Sequence, residues 1–415
     1  MDPQQLIKSI NSESNTGNSN VKIKKTIAIK RIIRNLYYEH TLSNLDLSKS
    51  LVMTPPSVTS LLSELTKEGI VAAKGHGLSN GGRKPMLYEL APDFGYIVGV
   101  DMDQYQTTMA VFNMHHVNVT PVKSISLKLS NEENILTTFI AEINELIESS
   151  KIERSKFIGL GISIPGFVNT KLGINYTFMN YGEKPLRKIL EEELGMPVFM
   201  ENDASAMAIG ENRFGLARNK SNVLVLKLGW GIGLGLILNG QLYRGHAGLA
   251  GEFSHIPVEE NGILCSCGKQ GCLETETSLR VLAKLAKKGI QEGKITSLRA
   301  MVNEDPEKIE SDLVIDAANM GDQYSVQILS TLGYKLGKGI SILIHLFNPE
   351  LIVLGGKLAK AKQFIMIPIQ QTLNQYCIPR LRETTDIQIS NLNEKAGLLG
   401  AVSLVLENIF TDAPK

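Results

Sequence analysis

The stretch HIPVEENGILCSCGKQGCLE, residues 255–274, holds Cys265, Cys267 and Cys272 in a chain with only four cysteines; the fourth, Cys377, is remote. With His255 they give the pattern H-x9-C-x-C-x4-C. Three thiolates and one imidazole suit a closed tetrahedral Zn2+ site. A site whose four positions are all filled by protein is structural and not catalytic. Gly268 and Gly271 permit the tight backbone that so short a knuckle needs. Glu252 precedes the first ligand and Glu274 follows the last. The metal is therefore expected to brace a polar binding site, leaving the chemistry to other groups.

The chain that must position these groups has 415 residues, 43% of them hydrophobic and 20% charged. That is too long for one ordinary domain and apolar enough for real cores. No run reaches the ~18 apolar residues of a membrane span, and MDPQQLIKSINSESNTGNSN lacks the apolar core of a signal peptide. A cytoplasmic protein with no membrane partner is expected. There thiols stay reduced, which favours a metal over a disulfide. Charge is uneven. Residues 1–90 carry 12 Lys plus Arg against 7 Asp plus Glu, in a chain of net charge +1. A basic front on a mildly acidic body fits a nucleic-acid reader.

Residues 1–21, rich in Ser, Asn and Gln, read as a flexible arm in which Leu6 and Ile10 could start a short helix. Residues 22–91 read as a winged helix-turn-helix. In residues 21–39, Ile27, Ile29, Ile32, Ile33 and Leu36 recur at helical spacing, with Lys24, Lys25, Lys30, Arg31 and Arg34 on the other positions. A short helix near residues 44–51 follows. Then Thr54 offers an N-cap, Pro55 suits the first helical position, and Val58, Leu61, Leu62 and Leu65 form an apolar stripe. A strand, a glycine-rich turn and a strand complete the wing. Small polar residues at the front of the third helix would let it approach bases in a major groove. Thr54, Pro56, Ser57, Thr59 and Ser60, with Arg83 and Lys84 on the wing, are the candidate contacts to double-stranded operator DNA.

From residue 92 strands rich in Val, Ile and Leu alternate with helical stretches, which indicates an α/β body. Its expected parts are a first lobe at 92–205 with a C-terminal return at 394–415, and a second lobe at 206–393 that carries the knuckle.

AGLAGEFSHIPV followed by CSCGKQGCLE is similar to the zinc signature of the ROK family, which groups repressors, uncharacterised reading frames and sugar kinases. GISIPGFVN, ENDASAMAIGE, GWGIGLGLILNGQLYRG, IVLGG and EKAGLLGAVSLV resemble further family motifs, in family order along the chain. The resemblance covers residues 92–405. It implies a two-lobed actin-like ATPase (RNase H-like) fold with a sugar cleft between the lobes. It also implies sugar-contacting roles for Gly166, Asn202, Asp203, Glu252, His255 and Glu274. Asp203 matches the catalytic base of the kinases. A small ring with many hydroxyls does need convergent carboxylates and amides.

The same resemblance separates two uses of the fold. Kinases of the family carry a first phosphate loop D-x-G-G-T-K, where this chain has DMDQYQTT, residues 101–108. Their second loop reads G-T-G-x-G-x-G, where Trp230, the chain's one tryptophan, replaces the threonine. An intact sugar half with altered phosphate loops implies no enzyme. It implies a regulator, expected as a repressor of carbohydrate genes and as a dimer or tetramer that a sugar or sugar phosphate releases from DNA. Lys184, Arg187 and Arg244 are the cations to consider for a phosphate. An ATP-dependent sugar kinase, and a sensor of a partner protein, are the alternatives.

Overall fold

The computed structural model of the chain describes residues 3–7, 20–77 and 84–411. It divides into two units, Met1–Glu201 with Leu398–Lys415, and Asn202–Gly397. The sequence places the corresponding breaks at 205/206 and 393/394.

The first unit begins with a helical turn at residues 3–7, where Leu6 and Ile7 are buried, so the expected arm is anchored there. The helix Asn20–Glu39 buries Ile32, Ile33, Leu36 and Tyr37 and exposes Lys24 and Lys25. Lys30, expected on the basic side, is buried. It stands three positions before Ile33 and seven before Tyr37, so helical geometry puts it on the apolar stripe. Strand β1 (Leu42–Ser43) leads into the helix Asn44–Leu51, where Ser43 and Asp46 form a capping box. The helix Pro55–Lys67 buries Val58, Leu61, Leu62 and Leu65, as its periodicity predicts. Thr54 holds the N-cap position, but its hydroxyl meets Ser57 Oγ at 2.9 Å and caps no backbone N–H. Strands β2 (Val71–His76) and β3 (Met86–Leu90) pair antiparallel, and β1 adds to β3. The wing tip, with Arg83, lies outside the described residues.

This head joins the α/β part of its unit through aromatic contacts. The Tyr37 and His116 rings lie 4.0 Å apart, His115 Nε2 donates to Leu90 O at 2.7 Å, and Tyr38 Oη reaches Glu407 at 3.4 Å. Burial, with His40 and His115 nearby, pushes His116 down to about 3, so its ring packs uncharged.

Beyond the head, the first unit contains β4 (Tyr96–Met102), β5 (Gln106–Asn113), β6 (Lys123–Ser126), β7 (Phe157–Ile164), the short pair β8 (Val168–Asn169) and β9 (Ile174–Asn175), and β10 (Val198–Asn202). Its sheet runs β10-β7-β4-β5-β6, antiparallel among β4, β5 and β6 and parallel between β4 and β7. The second unit contains β11 (Val223–Leu228), β12 (Ile232–Leu238), β13 (Gln241–Leu242), β14 (Leu351–Gly355) and β15 (Asp386–Ile389), in the order β13-β12-β11-β14-β15. Each sheet is thus a three-strand meander extended on its first strand by two later strands. This is the actin-like ATPase topology that the resemblance implies. The closing helix Lys395–Ile409 returns to the first unit from Leu398 onward. In the second unit Leu224, Leu226 and Leu228 of β11 pack into a core with Leu332, Leu336 and Ile340 of the helix Gln323–Phe347.

The turn of the helix-turn-helix holds a strained residue. Val52 ends the helix Asn44–Leu51 at φ 54°, ψ 47°, and is 90% exposed. A β-branched side chain is disfavoured there, and glycine is the usual choice. No burial offsets the strain. Val52→Gly is expected to stabilise the protein by about 1 kcal/mol, read as a later first transition in a denaturant titration.

Candidate functional site

His255 ends a short 3-10 turn, Phe253–His255, and Cys272 stands at the N-terminus of the helix Leu273–Thr277. The loop between them brings the four predicted ligand atoms within 4.8 Å of one another. His255 Nδ1 lies 3.5 Å from Cys265 Sγ, and Cys267 Sγ lies 3.6 Å from Cys272 Sγ. A disulfide would need ~2.05 Å. The observed spacing matches the edge of a tetrahedron built on metal–sulfur bonds of ~2.3 Å. Burial and the neighbouring sulfurs push the Cys272 thiol up to about 12, while the Lys269 amide holds Cys267 below its ordinary range. A dication suits such crowded thiols because it ligates them as thiolates. These residues can therefore hold a metal ion. The loop is tied down from outside: Glu276 accepts Ile263 N–H at 3.2 Å and pairs with Lys335 of the helix Gln323–Phe347.

His255 uses both ring nitrogens. Nδ1 faces the sulfurs, and Nε2 lies 3.9 Å from Glu252 Oε2. Burial first, then the nearby Asp203 and Glu274 carboxylates, hold the Glu252 carboxyl above its usual range against the pull of His255. The expected sugar acceptors Asp203, Glu252 and Glu274 are thus neighbours. Asn202 caps the helix Asp203–Phe214, its Oδ1 accepting Ala204 N–H at 3.0 Å and Ser205 N–H at 3.3 Å. These four residues and His255 belong to the second unit. Gly166 belongs to the first, at φ +98°, where a Cβ would stand 2.6 Å from Thr177 Cβ. Two cations were missed in the sequence. Lys227 Nζ pairs with Asp203 Oδ2 at 3.0 Å, and Arg280 pairs with Glu274 at 2.7 Å. The signal for the first was a single lysine inside the apolar run NVLVLKLG.

The first phosphate-loop segment is a tight turn from β4 to β5. Asp103 Oδ1 accepts the N–H groups of Tyr105 and Gln106, each at 2.7 Å, and Asp103 N–H donates to Gln106 O at 2.8 Å. Backbone donors of the kind a phosphate takes are here engaged by a carboxylate of the chain. In the second loop Gly229 N–H donates to Gly231 O at 2.9 Å around a half-buried Trp230.

On the head, Thr54 at the N-cap and Pro56, Ser57, Thr59 and Ser60 on the helix Pro55–Lys67 are all exposed, as is Lys84, two residues before β3. Thr59 also bonds Pro55 O and Asn44, which ties the two helices together. Beside this face opens a groove of about 670 Å3 lined by Lys24, Lys25, Arg31, Ser57, Ser60 and Glu64 among others. Lys25 and Glu64 pair across it at 2.7 Å.

A two-lobed actin-like protein with a Cys3His knuckle and a helical head is the class that the fold and site define. The model of the ROK family matches residues 97–408. The chain belongs to the ROK family. It is 29% identical to the xylose repressor of Caldicellulosiruptor bescii over 94% of this chain and 97% of that protein. A solved ROK family transcriptional regulator, a homologue of the Escherichia coli MLC protein, is 25% identical at a TM-score of 0.75, over 93% of this chain and 98% of its own. A ROK family glucokinase from Streptomyces griseus, solved with glucose and AMPPNP, is 30% identical at a TM-score of 0.66. It covers 75% of this chain and 99% of its own.

Metal analysis of the purified protein is expected to find one tightly held ion per chain. Cys272→Ser is expected to lose it and to melt at a lower temperature, since a structural ion contributes about 10 kcal/mol or more of folding free energy at pH 7.

Proposed function

We propose that the protein is a sugar-responsive transcriptional repressor of carbohydrate genes. The observation that carries this reading is coverage. The xylose repressor and the solved regulator align with nearly the whole chain, head included, whereas the glucokinase aligns with three quarters of it. The Asp103 turn supports the negative half of the reading, that the chain is not a kinase. A loop whose amides are given to its own carboxylate is a poor cradle for a triphosphate.

On this reading the knuckle holds a structural Zn2+, the ion that best suits three thiolates and an imidazole. The ion would fix His255 so that Nε2 faces the sugar site. Asn202, Asp203, Glu252, His255, Glu274 and the Gly166 turn would receive sugar hydroxyls. Ser57, Thr59 and Ser60 would enter the major groove, with Thr54 and Pro56 at the helix front and Arg83 and Lys84 of the wing beside it. Two heads of a homodimer or tetramer would read two half-sites. The sugar releases the operator only if it binds the DNA-competent and DNA-incompetent states with different affinity.

The test is a band shift with DNA from upstream of its own and neighbouring genes, with and without sugars, D-xylose first. A sequence-specific shift released by one sugar is expected. Asp203→Ala is expected to keep the shift and to need at least about tenfold more sugar for release, a loss of 1.4 kcal/mol or more. ATP turnover on a sugar with no specific shift would instead make the chain a kinase.

A further inference from the structure

Lys227 stands in β11 directly opposite Gly233 of β12 and Gly355 of β14. It is the one side chain in that cross-strand row. Gly233 is required by what sits on it, since a Cβ there would come 2.5 Å from Ala204 Cβ, and at Gly355 the flexible end of Met207 lies over the backbone, its Cε 1.8 Å from where a Cβ would stand. The helix Asp203–Phe214 therefore lies close over this row, and its first residue meets the lysine. Both partners are largely buried, 16% exposed for Lys227 and 19% for Asp203. The carboxylate is engaged at both oxygens, Oδ1 by Ala204 N–H at 3.0 Å and Oδ2 by Lys227 Nζ at 3.0 Å.

A general base needs an oxygen aimed at the proton it takes, with nothing competing for it. A receptor needs the opposite, an acceptor held still before the ligand arrives. Each carboxylate oxygen still has a second lone pair, so Asp203 can accept one more hydrogen bond. We propose that Lys227 is a positioning residue of the effector site. It holds Asp203 as a fixed acceptor for a sugar hydroxyl and keeps that carboxylate from acting as a proton acceptor. This rests on the effector site described under Proposed function. It adds a residue that the family motifs do not mark, placed by the glycine row that lets the helix approach.

The experiment is calorimetric titration of the metal-loaded full chain with D-xylose, D-glucose and N-acetyl-D-glucosamine, for wild type, Lys227→Met and Lys227→Arg. For whichever sugar binds wild type, Lys227→Met is expected to raise Kd at least about tenfold, and Lys227→Arg to bring it back to within about threefold. Metal content and melting temperature show whether each variant is folded. If the methionine variant loses either, Lys227→Gln takes its place with the same expectation. A folded, uncharged variant that binds sugar as wild type does overturns the role of Lys227 alone. So does sugar-dependent ATP hydrolysis by wild type, because Asp203 would then be acting as a base. If none of the three sugars binds a wild-type protein that shifts its operator, the effector site itself is overturned, and this inference with it.

Discussion

His255 is the point on which the second unit turns. One ring nitrogen faces three sulfurs and the other faces Glu252. An imidazole can serve two such masters only if its ring plane is fixed, and the sulfur cluster supplies the fixed end. The loop that carries Cys265 and Cys267 has little apolar content of its own, and Cys267 is exposed. Its order comes from the cluster, from Glu276 taking Ile263 N–H, and from the ion pair of Glu276 with Lys335 on a helix rooted in the core. Glu252 is raised by its burial first and then by the Asp203 and Glu274 carboxylates gathered near it. A flexible loop would let them drift apart.

Cations are set among these carboxylates. Asp203 is matched by Lys227 and Glu274 by Arg280, while Glu252 lies beside the His255 imidazole. Buried or half-buried carboxylates are tolerated when each has a partner and its lone pairs are used. The first unit treats an anionic position differently. There Asp103 folds the β4–β5 turn around its own carboxylate, so the negative charge is part of the chain. One unit thus gathers carboxylates beside paired cations, and the other satisfies its loop donors internally.

In the head, the contacts divide between fixed and free. The apolar stripe of the helix Pro55–Lys67 is fully buried and its small polar face is fully exposed. The preceding turn is strained at Val52. Further back, Tyr37 and the uncharged His116 lock the head to the α/β sheet of its own unit.

The sequence alone determined many of the elements and marked the four residues that cluster in the knuckle. Periodicity marked the helix-turn-helix stripe, because a one-sided apolar pattern leaves few alternatives. The knuckle was legible because four ligand-type residues in a short glycine-flanked loop have one common use. The order of the motifs gave the family and its two lobes. Tertiary structure decided what spacing cannot carry. Lys30 is buried because its place on the stripe outweighs its charge. Thr54 does not cap its helix because its hydroxyl meets Ser57. Lys227 meets Asp203 at 3.0 Å because sheet register and helix packing set β11 beside the helix Asp203–Phe214, whereas Arg280 reaches Glu274 at 2.7 Å across the join of two consecutive helices. The lysine pairing depends on which strands become neighbours, a choice made by the packing of the whole unit and not by any local run of residues.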